Sequence, residues 1–114
     1  MTSTRRALGS RGEDAAAAWS EANGYQVLAR NWRCRQGELD LVARRGGTVV
    51  FCEVKTRTSA AFGAPVEAVT RTKQARLRVL AARWLEESTW AAGEIRFDVV
   101  SVLAGKLEVL EGAF

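Results

Sequence analysis

Three charged residues near the middle of the chain, Asp40, Glu53 and Lys55, have the types and spacing of a metal-dependent hydrolytic site. Two carboxylates can hold a hard divalent cation such as Mg²⁺, which prefers oxygen ligands. Such a cation can polarise a phosphoryl oxygen and acidify a bound water, while a nearby lysine stabilises charge on the phosphate. The sequence contains no histidine, so catalysis by imidazole and zinc sites with imidazole ligands are excluded.

A predicted β-hairpin would bring these residues together. The Gly46-Gly47 pair suits a two-residue turn, where positive φ is needed. With that turn, the register places Asp40 opposite Glu53, and Glu38 opposite Lys55. Directly opposed residues have Cβ atoms about 4.5–5.5 Å apart. Strand alternation then puts Asp40, Glu53 and Lys55 on one face of the sheet, provided that the turn is assigned correctly.

A salt-bridged strand pair is the structural alternative. In that case Asp40 and Glu53 would only be neutralised by Lys55 and Arg44 on a solvent-facing sheet. Both strands carry apolar residues on both faces, however, and a buried sheet tolerates charge poorly unless the charge serves a site. The sequence therefore favours a functional site over a set of ion pairs.

The other predicted elements surround this hairpin in the order helix, three strands, helix, strand, with an extra terminal strand. Thr70 is a candidate cap for the second helix, and Pro65 can begin a short helical turn over residues 66–69. Leu8, Ala15, Trp19 and Ala22 recur at helical spacing and predict one apolar stripe on the first helix. Helices are predicted at about residues 5–23 and 71–87, and strands at 25–32, 37–44, 48–55, 95–103 and 106–110. The fold class is therefore α/β, a mixed sheet flanked by helices.

Length and charge limit the remaining possibilities. The 114 residues fit a single domain, in which residues 1–7 could be disordered. The net charge is +4 and almost all of the positive charge is arginine, which favours bidentate contacts to phosphate. We therefore expect a nucleic-acid partner, although basic composition alone is also compatible with no specific partner. The apolar runs are too short to span a bilayer and no secretory signal is present, so we expect a soluble cytoplasmic protein without a membrane partner.

The motif of the PD-(D/E)XK nuclease superfamily resembles two strings in this chain, Gly37-Glu38-Leu39-Asp40 and Glu53-Val54-Lys55. Leu39 stands where the motif has its proline. The chain as a whole resembles the YraN-type family of predicted endonucleases, which is similar to archaeal Holliday-junction resolvases. The resembling stretches are residues 12–16, 30–33, 37–43, 50–57 and 62–65, and they extend through Lys73 and 84–85 to 96–100. This resemblance implies a restriction-endonuclease-like core, Mg²⁺ or Mn²⁺ as cofactor, DNA as partner and a homodimer as a candidate assembly.

The resemblance also implies roles for individual residues. Asp40, Glu53 and Glu13 would be metal ligands, the carbonyl of Val54 a further one, and Lys55 the catalytic lysine. Glu13 has an alternative role, because the string from Ser10 to Glu13 also fits a capping box if the first helix begins at residue 11.

Four further residues are interpreted with alternatives. Arg57 would contact phosphate, or would be a solvated loop arginine. Lys73 and Gln74, at the start of the second long helix, could reach the scissile phosphate or the attacking water, with a surface turn as the alternative. Asp98, in an apolar strand, is interpreted as structural and as a partner of an arginine.

Together these features predict a metal-dependent endonuclease that hydrolyses phosphodiester bonds in DNA, with branched DNA as a candidate substrate. One alternative is a nucleic-acid-binding module that keeps the nuclease fold without cutting. Another is a structural protein in which the charges serve only as salt bridges.

Overall fold

A computed structural model of the chain describes residues 2–57 and 69–114, with side chains described from residue 11 onwards. The helical turn expected after Pro65 lies outside these residues. None of the helices in the described ranges is long and apolar enough to cross a bilayer. The elements follow the order α1 (Thr2–Ala22), β1 (Gln26–Cys34), β2 (Gly37–Arg45), β3 (Thr48–Arg57), α2 (Arg71–Glu87), β4 (Glu94–Leu103) and β5 (Lys106–Leu110).

The five strands form one mixed sheet in the order β1-β2-β3-β4-β5. Strands β3 and β4 are parallel, and the other three neighbouring pairs are antiparallel. The parallel pair requires a crossover connection, which includes α2. The predicted fold class, a mixed α/β sheet flanked by helices, is confirmed, and the element order is compatible with a restriction-endonuclease-like core.

The predicted hairpin and its register are confirmed near the turn. Arg45 pairs with Thr48 and Leu41 pairs with Cys52, as a two-residue Gly46-Gly47 turn requires, and Gly46 has φ +60°. The ladder between β2 and β3 ends at the Leu41–Cys52 pair. The rungs expected between Asp40 and Glu53, and between Glu38 and Lys55, were therefore wrong.

Two apolar layers cover the two faces of the sheet. On one face, Ala16 and Ala17 of α1 pack against a layer that includes Leu41, Val50 and Val100. On the other face, residues of α2 pack against a second layer; the members of this layer are Leu39, Val42, Val49, Phe51, Leu80, Ala81, Trp84 and Phe97. The sheet is thus enclosed on both sides, which explains why its strands are apolar on both faces.

The predicted apolar stripe of α1 was wrong at Ala22, while Ala15 and Trp19 are partly buried and Leu8 lies outside the residues whose side chains are described. Ala16 and Ala17 are buried, whereas Trp19 is only partly buried and Ala22 is exposed. The helix packs through its smallest side chains because it lies close to the sheet, and the larger Trp19 stacks on Tyr25 at a ring distance of 6.2 Å. Residues 2–7, where the sequence allowed disorder, belong to this helix.

The second helix matches its predicted bounds. The Thr70 hydroxyl accepts a hydrogen bond from the backbone N–H of Lys73, which fixes the first turn. Leu80, Ala81 and Trp84 form the buried face of α2. Because the cap and the buried face are both determined locally, the orientation of Lys73 and the residues after it is well defined.

Candidate metal-binding site

The end of the β2–β3 ladder is marked by a side chain that takes over a backbone hydrogen bond. In an antiparallel ladder of this register, the N–H of Val54 would donate to the carbonyl of Leu39. Instead, it donates to Oδ2 of Asp40 at 2.8 Å. The carboxylate of Asp40 is thereby fixed at the point where the two strands stop pairing.

Asp40 is an acid that holds its proton unusually strongly. Burial is the main cause and the neighbouring Glu53 carboxylate is the second, and together they raise the pKa of Asp40 to about 7. The hydrogen bond from Val54 works in the opposite direction, while Glu13 and Glu38 raise the pKa further. Such crowded negative charge is stabilised by a bound cation or by a proton.

Three carboxylates meet at this point. Oxygen atoms of Glu13 on α1 and of Glu38 and Asp40 on β2 all lie within 4.8 Å of one another. All three residues are partly buried, and this cluster could hold a metal ion. The capping-box alternative for Glu13 was wrong, because α1 begins at Thr2 and Glu13 lies in its interior. Glu13 and Asp40, two of the three predicted ligands, are therefore brought together.

Glu53, the third predicted ligand, has a different immediate partner. Its Oε1 lies 3.2 Å from Nζ of Lys55, and both side chains are largely buried. The two residues therefore share a face of β3, as strand alternation predicted. Glu53 also lines the same cavity as Asp40 and raises its pKa. The acidic group thus has two parts, the cluster of Glu13, Glu38 and Asp40 and the Glu53–Lys55 pair.

Gly12 determines how closely α1 approaches β3. A Cβ atom added at Gly12 would lie 1.8 Å from Oγ1 of Thr56, which is an impossible contact, and 3.0 Å from its Cβ, which is a very tight one. Only glycine therefore lets the helix lie at this distance from the strand. Because Glu13 is the next residue on α1, the same contact sets the position of its carboxylate.

We expect Gly12→Ala to destabilise the protein by about 1–3 kcal/mol, as overpacking does, although alanine normally stabilises a helix interior. The variant should also bind divalent cations more weakly, because α1 must move away from β3 together with Glu13. Urea denaturation and Mn²⁺ calorimetry would measure the two effects. Adding Thr56→Ala, which removes the nearest atom, should recover much of both losses, and Thr56→Ala alone is the control. A stable Gly12→Ala variant with normal Mn²⁺ affinity would contradict this assignment.

A cavity of about 280 Å³ opens beside the carboxylates. Its acidic side is formed by Glu38, Asp40 and Glu53, and its basic side by Lys73 and Arg76 of α2. Leu77 and Leu80 complete the lining. The structure therefore brings Lys73, a predicted nucleic-acid contact, to the same cavity as Asp40 and Glu53, two of the predicted metal ligands.

The other two predicted nucleic-acid contacts are not among the described residues that line this cavity. The amide of Gln74 donates to the carbonyl of Val69 at 3.1 Å and so fastens the start of α2. Arg57 is the last residue of β3, is partly buried and pairs with Leu103 of β4. The alternative that Arg57 is a solvated loop arginine was therefore wrong.

Two cavity residues were missed by the sequence analysis, namely Glu38 and Arg76. Strand alternation could have indicated Glu38, because it stands two positions before Asp40 and so shares its face. Helical spacing could have indicated Arg76, which is three residues after Lys73 on the same helix. Neither signal distinguishes a site residue from an ordinary charged surface residue.

Asp98 is structural, and the expected arginine partner is confirmed. Arg96 donates from Nε to Oδ1 at 2.8 Å and from Nη2 to Oδ2 at 2.9 Å. Nη2 of Arg96 also donates to the Tyr25 hydroxyl, and the N–H of Gly112 donates to Asp98. The group connects β4 to the start of β1 and to the C-terminal segment, away from the cavity.

Comparison with known proteins connects this arrangement to a family. The model of the uncharacterised protein family UPF0102 matches residues 12–102, a range that contains all of the cavity and cluster residues. The chain belongs to this family. A UPF0102 protein of Beutenbergia cavernae is 60% identical over 111 residues, covering 93% of this chain and 94% of the relative. A UPF0102 protein of Acidothermus cellulolyticus is 49% identical over 127 residues, covering 98% of this chain and 96% of the relative. These relatives match the UPF0102 chain over nearly its whole length.

Proposed function

We propose that this UPF0102 protein is a metal-dependent endonuclease that hydrolyses phosphodiester bonds in DNA, with branched DNA as a candidate substrate. The observation that carries the proposal is the cluster of Glu13, Glu38 and Asp40. Glu38 and Asp40 of this cluster line one cavity together with Glu53, which pairs with Lys55. The resemblance to PD-(D/E)XK nucleases stated above supports the same reading. The net charge of +4 supports a polyanionic substrate.

The residues present fit a divalent cation. Three carboxylates supply hard oxygen ligands. The pKa of Asp40 is raised mainly by burial and then by the neighbouring Glu53 carboxylate, and a bound cation would offset both effects. Glu13, Glu38 and Asp40 would hold Mg²⁺ or Mn²⁺, with Glu53 on the neighbouring strand. When bound, such an ion supplies an activated water and neutralises charge on the phosphate.

The chain's own groups would position the substrate around that ion. Glu53 holds the Lys55 ammonium at 3.2 Å and orients it on the face of β3 that Glu53 shares. In that position Lys55 would donate a hydrogen bond to a phosphoryl oxygen and stabilise the charge that develops there. Asp40 is held by Val54 N–H, so its carboxylate does not have to reorganise during the reaction.

A cleavage panel tests this function directly. Linear duplex, flapped duplex and a four-way junction would be incubated with Mg²⁺ or Mn²⁺, and the products resolved on denaturing gels. We expect cleavage by the wild type, with Lys55→Ala slower by about 10²–10³-fold because a transition-state contact is lost. Lys106→Ala, at an exposed lysine at the start of β5, is the matched control and should cut normally. Salt-dependent DNA binding without cleavage of any substrate would favour the non-cleaving module instead.

A further inference from the structure

The two walls of the cavity carry opposite charge but do not neutralise each other. Within the part of the chain that the structure describes, the ion pairs of the acidic wall lie elsewhere: Glu38 pairs with Arg33, and Glu53 pairs with Lys55. Neither Lys73 nor Arg76 forms an ion pair with an acid in the same described ranges. The acidic wall therefore keeps a negative electrostatic potential and the basic wall a positive one, with the cavity of about 280 Å³ between them.

Arg76 is held where it can act from the basic wall. A Cβ atom added at Gly37 would lie 3.6 Å from Cδ of Arg76 and 3.5 Å from Cδ1 of Leu80, so the arginine stem packs over the start of β2. This packing places the stem of Arg76 beside Gly37, the residue before Glu38. Lys73, one turn earlier on α2, shares this face of the helix. Arg76 is exposed overall, so its guanidinium is available for planar, bidentate contacts to an anion.

We infer that Arg76 and Lys73 form an anion subsite, and that the cavity takes a two-part ligand: a divalent cation on the acidic wall and a phosphodiester group on the basic wall. The choice of a phosphodiester rests on the proposed function. An anion that binds alone would be repelled by Glu38, Asp40 and Glu53. A cation that binds alone would be repelled by Lys73 and Arg76. When both are bound, each offsets the repulsion felt by the other, so the two binding events are positively coupled.

The size and lining of the cavity also limit what it can recognise. A volume of about 280 Å³ is at the small end for ligand pockets and suits a phosphodiester with a hydrated ion. The described lining is two leucines and charged side chains, without an aromatic ring for base stacking. Sugar and base must therefore lie outside the cavity. The subsite contacts the backbone and does not read sequence.

The coupling can be measured without any cleavage assay. Mn²⁺ affinity of the full chain would be determined by calorimetry alone and in the presence of dithymidine phosphate, which carries one phosphodiester, or of thymidine, which carries none. We expect the dinucleotide to tighten Mn²⁺ binding by about 5–50-fold, within the usual range of coupling between sites, and thymidine to have no effect. In Arg76→Ala this coupling should fall below about twofold, whereas Mn²⁺ alone should bind at least as tightly as in the wild type.

A matched control lies seven residues further along the same helix. Arg83 is exposed and pairs with Glu87 at 3.0 Å, so Arg83→Ala should keep the full coupling. Full coupling in Arg76→Ala, or none in the wild type, would overturn the anion subsite, even if the wild type cuts DNA. Coupling that depends on Arg76 in a protein that cuts no substrate would instead retain the subsite and reject the proposed hydrolysis. Melting temperatures of both variants would verify that they fold.

Discussion

Asp40→Asn is expected to stabilise the protein at pH 8 and to abolish its metal binding. Burial and Glu53 raise the pKa of Asp40 to about 7, so the folded protein binds more protons than the unfolded chain between about pH 4 and pH 7. The contribution of this group to stability is therefore complete at low pH and is lost as the pH rises through 7. Asparagine has no proton to lose, and its carbonyl can still accept the hydrogen bond from Val54.

The difference between variant and wild type should consequently depend on pH. We expect Asp40→Asn to be about 1–3 kcal/mol more stable than the wild type at pH 8, a figure reduced for partial solvent access, and nearly equal at pH 4. Urea denaturation without divalent ions would measure this. Asp14→Asn, at an exposed ion pair with Arg30, is the control, and its stability relative to the wild type should not rise between pH 4 and pH 8 as that of Asp40→Asn does. An equal difference at every pH would mean that Asp40 is ionised throughout.

The same variant should respond differently to metal. Loss of a direct ligand should weaken Mn²⁺ binding by more than about 100-fold. That value is the largest effect typical of residues that do not touch the metal and only support a ligand. Saturating Mn²⁺ would then raise the melting temperature of the wild type at pH 8 and leave that of Asp40→Asn unchanged. A comparable shift in both proteins would remove Asp40 from the metal site.

Arg96→Met should produce the largest loss of stability that we expect from a residue outside the cavity. Asp98 has a side chain only 3% exposed, and Arg96 is its bidentate partner. Without the guanidinium, Asp98 is left buried with the N–H of Gly112 as its remaining described hydrogen-bond partner. Breaking a buried pair in this way typically costs about 3–5 kcal/mol.

Chemical denaturation of three variants would check this expectation. Arg96→Met combined with Asp98→Asn should be more stable than Arg96→Met alone, because the uncompensated charge is gone. Arg83→Met removes an exposed helical pair with Glu87 and should cost no more than about 1 kcal/mol. If the free energy of unfolding of Arg96→Met lies within about 1 kcal/mol of that of the wild type, the Arg96–Asp98 pair is not a major contributor to the stability of the fold.

The parts of the structure that follow from local rules could be predicted from the sequence. The Gly46-Gly47 turn fixed the register of the hairpin near the turn, and the Thr70 cap fixed the start of α2. Both depend on the conformation of a few adjacent residues. The proximity of Glu13 to Asp40 was implied by family resemblance, whereas the residues alone left the capping box as an alternative.

The parts that depend on packing between elements could not be predicted in this way. The stripe of α1 was assigned by hydrophobic periodicity, but the close contact of Gly12 with Thr56 selects small residues for the buried face. The expected rungs between Asp40 and Glu53 and between Glu38 and Lys55 do not form, because the strands stop pairing at Leu41 and Cys52. Local sequence does not say where a ladder ends.

The hydrogen bond between Asp40 and Val54 has a consequence for how this family can change over evolutionary time. The acid is both a candidate ligand and the acceptor that completes the edge of β3 where β2 stops pairing. On the proposed function, a descendant that abandoned metal chemistry could replace Glu13 with little cost to the sheet. At position 40 it would still need a side chain that accepts the hydrogen bond from the N–H of Val54. We therefore expect asparagine to replace Asp40 more often than alanine or leucine does. On the proposed function, an asparagine there would mark a lineage that has lost metal binding and kept the fold.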